Sequence, residues 1–117
     1  MSNAMAVAEP PQCSSVVNGQ VVYQSTHGAA VVNDSGQDLT YCVDVVLTDS
    51  LGNQQTLPTQ TLVAPGQGSQ SSTSPVFNLQ FSKGLYTSGQ EVTFTASTRV
   101  SGGVSASDQE PNTLTIG

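Results

Sequence analysis

The two cysteines, Cys13 and Cys42, carry the most reactive side chains of the chain. Their wide separation does not match the C-x-x-C pattern of a redox or zinc site. In an exported protein such a pair favours a disulfide, which at this loop length would stabilise the fold by roughly 3–4 kcal/mol. In a reducing cell the same residues would remain two thiols. We therefore predict a Cys13–Cys42 disulfide.

Two segments offer oxygen ligands beside a glycine, as calcium loops do: "NDSGQD" at 33–38 and "DSLGN" at 49–53. Neither follows the order D-x-[DN]-x-[DN]-G with a closing glutamate. Asp, Asn, Ser and Gly are also the residues that tight turns require for local hydrogen bonds and positive φ angles. We predict turns and no metal site. The triplet Asn33-Asp34-Ser35 also has the form of an N-glycosylation acceptor.

His27 is the sole histidine and precedes a glycine, a pattern typical of a solvent-facing turn. A Ser-His-Asp set built on it would make the chain a small hydrolase, which is the alternative that sequence alone leaves open. The chain contains no G-x-S-x-G, H-E-x-x-H, P-loop or G-x-G-x-x-G motif. We predict no catalytic residue, no enzymatic activity and no cofactor.

The three tyrosines are the only large amphipathic rings, since the chain has no tryptophan. Such rings, when exposed, can stack against sugars. Tyr41 is predicted to face the core and Tyr86 to pack at a strand corner. Tyr23 is therefore the one candidate ligand contact, and a carbohydrate-binding module is the alternative function that depends on it.

Strict alternation of apolar and polar residues predicts the strands that would hold these side chains. In the first strand the inward set is Tyr41, Val43, Val45 and Leu47, and the outward set is Thr40, Cys42, Asp44, Val46 and Thr48. In the second strand the inward set is Val92, Phe94, Ala96, Thr98 and Val100, and the outward set is Thr93, Thr95, Ser97 and Arg99. Half-buried strands of this kind belong to antiparallel sheets. Because Cys42 lies on the outward set, a bridge to Cys13 would lie outside the core.

Turn clusters separate the predicted strands at short, regular intervals, which is typical of a sandwich. The strands are predicted at 14–17, 20–25, 28–33, 39–48, 54–63, 69–81 with a break near Pro75, 90–100 and 112–116. The Asn-Gly pair at 18–19 predicts a two-residue hairpin, although a bulged first strand would give the same pattern. Pro58 and Pro75 place their strands at sheet edges. The predicted fold is all-β: a two-sheet antiparallel immunoglobulin-like sandwich of about seven or eight strands.

Composition limits the number of domains and the classes of partner. The chain has 117 residues, 36% of them hydrophobic, which suffices for one modest core. Two basic residues against eight acidic ones give a net charge of −6, so nucleic acid and anionic membrane surfaces are disfavoured. No apolar run approaches the roughly 20 residues of a bilayer-spanning helix. We interpret residues 1–5 as vector-derived, 6–12 as a flexible segment and 13–117 as one domain.

The run from "VVNDSGQDLTYCVDVVLTDSLGN" through "LVAPGQG" and "GLYTSGQEVTFTASTRV" to "SDQEPNTLTI" resembles bacterial immunoglobulin-like modules typified by the cell-adhesion-related (CARDB-like) domains. The resemblance covers about residues 29–116, and it consists of strand ends in N-x-x-G and D-x-x-G, a Pro-Gly turn and a late Val/Thr-rich strand. It implies a sandwich on the outside of a bacterial cell, used as a spacer or adhesive module. It supplies no catalytic residue.

The predicted function is therefore a non-enzymatic structural or protein-interaction module. Low charge, abundant Ser, Thr and Gln, and one disulfide are typical of proteins that work outside the cell. We expect an extracellular, cell-surface or periplasmic location and a place within a larger chain or assembly. The expected partner is a protein or a surface glycan.

Overall fold

The computed structural model of the chain describes residues 4–17, 20–24, 28–66 and 86–117. These residues form nine strands and no helix. The strands are β1 (Ala4–Ala8), β2 (Gln12–Val17), β3 (Gln20–Gln24), β4 (Ala29–Asn33), β5 (Leu39–Asp49), β6 (Gln54–Thr56), β7 (Gln60–Ala64), β8 (Glu91–Gly102) and β9 (Ala106–Thr115). The predicted all-β class is confirmed, with nine strands in place of seven or eight.

The larger sheet is centred on β5 and is antiparallel throughout. One side of β5 pairs with β8, which pairs in turn with β9. The other side pairs with β7 along its first half and with β6 along its second half. This sheet aligns the longest strands of the chain, so it holds several rows of side chains on each of its two faces.

The second layer is a long, interrupted hairpin. Its two parts are the ribbon β2–β3, in which Val17 pairs with Gln20, and the ribbon β1–β4. The first pairing confirms the predicted hairpin, although residues 18–19 themselves lie outside the described ranges. The Glu9 amide donates to the Gly28 carbonyl at 3.0 Å, which carries the pairing across the interruption.

The core lies between the two layers and follows the predicted alternation. Tyr41, Val43, Val45 and Leu47 of β5 are at most 1% exposed. They form one cluster with inward residues of the other strands, which include Cys13, Val21, Tyr23, Ala29, Val31, Val92, Phe94, Ala96 and Val100. The residues that alternate with the inward residues along β5 and β8 form the outer face of the larger sheet. The structure therefore confirms the buried faces that period-two alternation predicts for β5 and β8.

Three predicted boundaries differ from the structure. The strand expected at 54–63 is two strands, because Leu57, Pro58 and Thr59 interrupt it and Pro58 has no amide to donate. The last strand begins at Ala106, well before 112. The segment 6–12, expected to be flexible, contains the end of β1 and the start of β2. The strand expected at 69–81, with Pro75, lies outside the described residues.

Candidate functional site

The two cysteines lie on opposite sides of the larger sheet. Cys13 is 1% exposed and belongs to the core cluster. Cys42 is half-buried on the outer face, where its Sγ lies 3.7 Å from Thr61 Oγ1. Both are free thiols in the structure, so the predicted Cys13–Cys42 disulfide is not formed. The outward position of Cys42 is confirmed. The error concerned Cys13, because a thiol packed in the core cannot bridge to the outer face.

The Cys13 thiol is not arranged as a nucleophile. Burial raises the pKa of the Cys13 thiol to about 11, against a smaller opposing effect of the Ser15 backbone. A thiol of that pKa is protonated at neutral pH, and the thiolate is the reactive form. Cys13 behaves as a small apolar core residue.

Tyr23, the candidate ligand contact, points into the core. Its side chain is 2% exposed, and it pairs with Cys13 across the ribbon β2–β3. A ring in this position cannot stack on a soluble ligand. Tyr41 is also buried, as predicted, so neither of these tyrosines provides a stacking platform.

The segment "DSLGN" is a turn organised by one carboxylate. Asp49 Oδ1 accepts from the backbone amides of Leu51 and Asn53, each at 2.9 Å. Its Oδ2 accepts from Asn53 Nδ2 and from the Tyr86 hydroxyl, each at 2.8 Å. Gly52 takes a φ of 94°, the left-handed region that favours glycine. The Asp49 oxygens thus have four protein donors, which supports a turn in place of a metal site.

This hydrogen bonding sets the ionisation of the cluster. Burial would raise the pKa of Asp49, but the donors from Asn53, Tyr86 and Leu51 together hold it below its usual value. Burial and the bond to Asp49 raise the pKa of Tyr86. The Tyr86 ring packs edge-on against Phe94, with centroids 5.5 Å apart, which confirms that it is a packed residue.

The segment "NDSGQD" is a second turn, organised by a buried amide. Asn33 is 0% exposed, and its Nδ2 donates to the carbonyls of Gln37 and Ala64 at 2.8 Å. Its Oδ1 accepts from the Ser35 amide and hydroxyl. An enzyme that glycosylates asparagine must reach this nitrogen, which the folded chain encloses. The acceptor triplet is therefore structural.

Within residues 4–17, 20–24, 28–66 and 86–117, no three His, Cys, Asp or Glu side chains lie close enough to hold a metal ion. His27 lies outside these ranges, so the Ser-His-Asp alternative is not tested. In the same part of the chain there is no helix with the length and apolar character needed to cross a membrane.

The feature most suited to a ligand is a groove on the outer face of the larger sheet. It has a volume of about 660 Å³, within the range of roughly 300–1,000 Å³ typical of small-molecule sites. The lining side chains come from β5, β6, β8 and β9, and they include Asp44, Val46, Thr56, Ser97, Arg99 and Ser107. Short hydroxyl side chains in the central rows leave the space that the groove occupies.

Strand register brings together the two charged groups of the groove. Asp44 pairs with Arg99 across β5 and β8, and Arg99 pairs with Ser107 across β8 and β9. Arg99 Nη2 lies 3.9 Å from Asp44 Oδ2, and the Thr59 hydroxyl donates to Asp44 Oδ1. The Arg99 side chain is 71% exposed, so the contact leaves most of its N–H donors facing solvent.

A second depression, of about 410 Å³, adjoins the first. Both are lined by Arg99 and Ser107, and the second extends towards the β8–β9 turn at Ser105. The groove is therefore long enough for an extended ligand, with Arg99 near its middle.

Sequence reasoning missed this groove. Asp44 and Arg99 were both predicted to face outward, and Arg99 is the only arginine of the chain. Their meeting depends on the register of β5 against β8, which the alternation does not fix. The signal that could have found the pair was opposite charge on outward positions of the two longest strands.

Comparison with known proteins relates the fold to larger enzymes. No protein-family model matches the chain, and no curated protein sequence matches it. One solved structure with a similar fold is Bacteroides uniformis β-glucuronidase 2 covalently bound to cyclophellitol-6-carboxylate aziridine, at 16% identity and a TM-score of 0.53. Another is a crystal structure of Bacteroides uniformis β-glucuronidase, at 19% identity and a TM-score of 0.54.

The two matches cover nearly all of this chain but only a small part of each β-glucuronidase chain. Each spans 97% of the present chain and 13% of the solved chain. Identities this low show a shared fold alone. The fold of this chain thus also occurs as a small β-domain within a much longer glycoside hydrolase.

Proposed function

We propose that this chain is a non-catalytic accessory module of a larger, carbohydrate-active protein, with a structural or protein-interaction role. The observation that carries the proposal is the coverage: almost the whole chain matches a 13% portion of β-glucuronidase chains. A spacer or adhesive role at the cell surface, as the CARDB-like resemblance implies, is the same kind of role in another setting.

The side chains of the groove support a non-catalytic role. Hydrolysis of a glycosidic bond usually requires two carboxyl groups that face each other across the bond. Asp44 contacts Arg99 and Thr59, and the Asp108 carboxylate accepts from the adjacent Gln109 amide. Asp49 is enclosed by its four donors. None of these carboxylates is placed as a general acid.

Two measurements test this proposal together. The purified chain should give no turnover of aryl β-glucuronides or other aryl glycosides. An antibody raised against it should detect, in lysate of the source organism, a polypeptide far larger than 12.0 kDa whose immunoprecipitate does hydrolyse such substrates. A free protein of this mass, or turnover by the isolated chain, would overturn the proposal.

Carbohydrate binding by the domain itself remains the second candidate function. The structure removes Tyr23 as its platform, because the ring is buried. The groove around Arg99 is the observation that favours this candidate.

A further inference from the structure

We infer that the outer-face groove binds a neutral, polyhydroxylated ligand, an oligosaccharide chain, with Asp44 and Arg99 as its polar anchors. The inference rests on the proposed accessory role and gives the domain a ligand of its own. No curated or family match assigns a site to this chain.

The central strands of the groove offer a ligand side chains and no free main-chain groups. The main chains of β5 and β8 are paired on both sides, so their amides and carbonyls are already hydrogen-bonded within the sheet. An extended peptide that adds to a sheet needs such groups free. The groups that remain are hydroxyls, a carboxylate, a guanidinium and the Gln109 amide, and these match sugar hydroxyls as donors and acceptors.

Asp44 and Arg99 offer complementary functions to such hydroxyls. The carboxylate accepts from hydroxyl groups, and the Arg99 guanidinium donates to hydroxyl or ring oxygens through the N–H groups that solvent reaches. Their mutual contact is long, at 3.9 Å, so a ligand can insert hydrogen bonds without breaking a strong ion pair. Val46 adds an apolar surface on which the C–H groups of a sugar ring can lie.

Charge decides between neutral and acidic sugars. Among the described residues of the groove, Arg99 provides the one cationic group and Asp44 the carboxylate on the same face, whereas Asp108 pairs with the inward-facing Thr98. The chain as a whole carries a net charge of −6. The Asp44–Arg99 pair has no net charge, so the net charge of the whole chain decides: a uronate carboxylate would meet long-range repulsion, and the neutral counterpart would not.

The shape of the site favours a long oligosaccharide over a monosaccharide. The adjoining depression shares Arg99 and Ser107 with the groove, so the two spaces of about 660 Å³ and 410 Å³ are neighbours on the outer face. We expect affinity to rise from a monosaccharide to an oligosaccharide, because the longer ligand contacts both parts.

The test is a titration of the purified chain with cellopentaose and with its C6-oxidised counterpart, penta-β-1,4-glucuronate, together with xylopentaose and mannopentaose. Amide chemical shifts in two-dimensional NMR locate the site, and calorimetry gives the affinity. We expect at least one neutral pentaose to shift the amides of Ser97, Arg99 and Ser107, and the glucuronate to bind at least fivefold more weakly than cellopentaose or not at all.

Two substitutions on β9 distinguish ligand binding in the groove from binding elsewhere on the outer face. Ser107→Phe fills the groove, whereas Thr115→Phe places the same ring on the same face of β9 beyond the groove. Ser107→Phe should weaken binding at least tenfold, and Thr115→Phe should leave it unchanged. Arg99→Gln and Asp44→Asn should each weaken it about fivefold.

Several outcomes would overturn the inference while leaving the accessory role intact. These are no binding of any neutral pentaose, tighter binding of the glucuronate, binding that Ser107→Phe does not affect, and binding of unstructured peptides in preference to sugars at the same amides. Failure of the accessory role would show instead as turnover by the isolated chain or as a free 12.0 kDa protein.

Discussion

Single side chains account for much of the local order of this domain. Asn33 and Asp49 each satisfy several backbone groups at the end of a strand. Each lies in a turn segment whose residues also resemble a calcium-binding loop. Local hydrogen bonding uses the same oxygens that a metal would need, so partner atoms decide between the two interpretations.

Cysteine reactivity follows from the positions of the two thiols. Without reductant, a thiol reagent should label Cys42 in the native protein and Cys13 only after unfolding, because Cys13 is 1% exposed and Cys42 is half-buried. Colorimetric thiol counting checks this, and Cys42→Ser should abolish the native reaction. A count of zero in denaturant would show that a disulfide forms after all.

The Asp49 cluster predicts a pH dependence of stability. The pKa of Asp49 is lowered in the folded state, so its contribution is full above the unfolded value of about 3.9 and is lost as pH falls through the lower folded value. Asp49→Asn should cost about 2 kcal/mol at pH 6, since hydrogen bonds to a charged group are lost. The gap in melting temperature between wild type and variant should narrow below about pH 4. A gap that stays constant down to pH 2 would contradict this account.

Elements are joined at a few close backbone contacts. A Cβ added at Gly66 would lie 1.7 Å from the Gln37 carbonyl oxygen, and the Gly66 amide donates to Asp38. Gly66 therefore fixes the end of β7 against the turn before β5. At Gly89, where φ is 84°, the same atom would meet nothing within 4 Å.

Gly66→Ala should therefore destabilise the domain by about 2–3 kcal/mol, because backbone must move to admit the methyl group. Gly89→Ala should cost only about 1 kcal/mol, from its positive φ alone. Urea denaturation followed by circular dichroism compares the two. Equal costs would show that the Gly66 contact relaxes freely.

Among the residues that the structure describes, the outermost strands of the larger sheet carry prolines or breaks. Pro58 lies in the interruption between β6 and β7, and Pro111 lies within β9 opposite Thr95. A proline on an edge strand removes a donor that another chain could bind. We therefore expect these residues to protect the outermost strands against strand addition.

Replacing Pro111 by threonine should expose a new amide at the edge of β9 and promote self-association. Sedimentation equilibrium at increasing concentration should show more dimer for Pro111→Thr than for wild type. Pro65→Thr, at an exposed position after β7, is the matched control and should behave as wild type. The same association constant for all three proteins would disprove the protective role.

The whole molecule depends on one core shared by both layers. Leu47 is 1% exposed within it, whereas Leu51 in the neighbouring turn is 44% exposed. Leu47→Ala should cost about 2–5 kcal/mol in unfolding free energy, through lost burial and the cavity left behind. Leu51→Ala should stay within about 0.5 kcal/mol. Denaturation should be one cooperative transition in both variants, and two separate transitions would show that the layers fold independently.

The sequence alone determined the fold class and the buried faces. Alternation in 39–48 and 90–100 identified the core residues of β5 and β8 correctly, since in a strand the side-chain direction is fixed by period two. The Asn-Gly hairpin and the turn at Asp49 were predicted from local chemistry. These features depend on near neighbours, which the sequence displays directly.

The tertiary structure alone decided which side chains meet. The partners of Cys13, Tyr23 and Arg99 lie on other strands, and their proximity depends on strand order and register. Outward parity placed Cys42 correctly but said nothing about the face that Cys13 occupies, so the disulfide was expected where none is formed. The same register brought Asp44 to Arg99 and created the groove. Alternation shows which face of its strand a side chain occupies, whereas a site depends on which residues of the neighbouring strands lie beside that side chain.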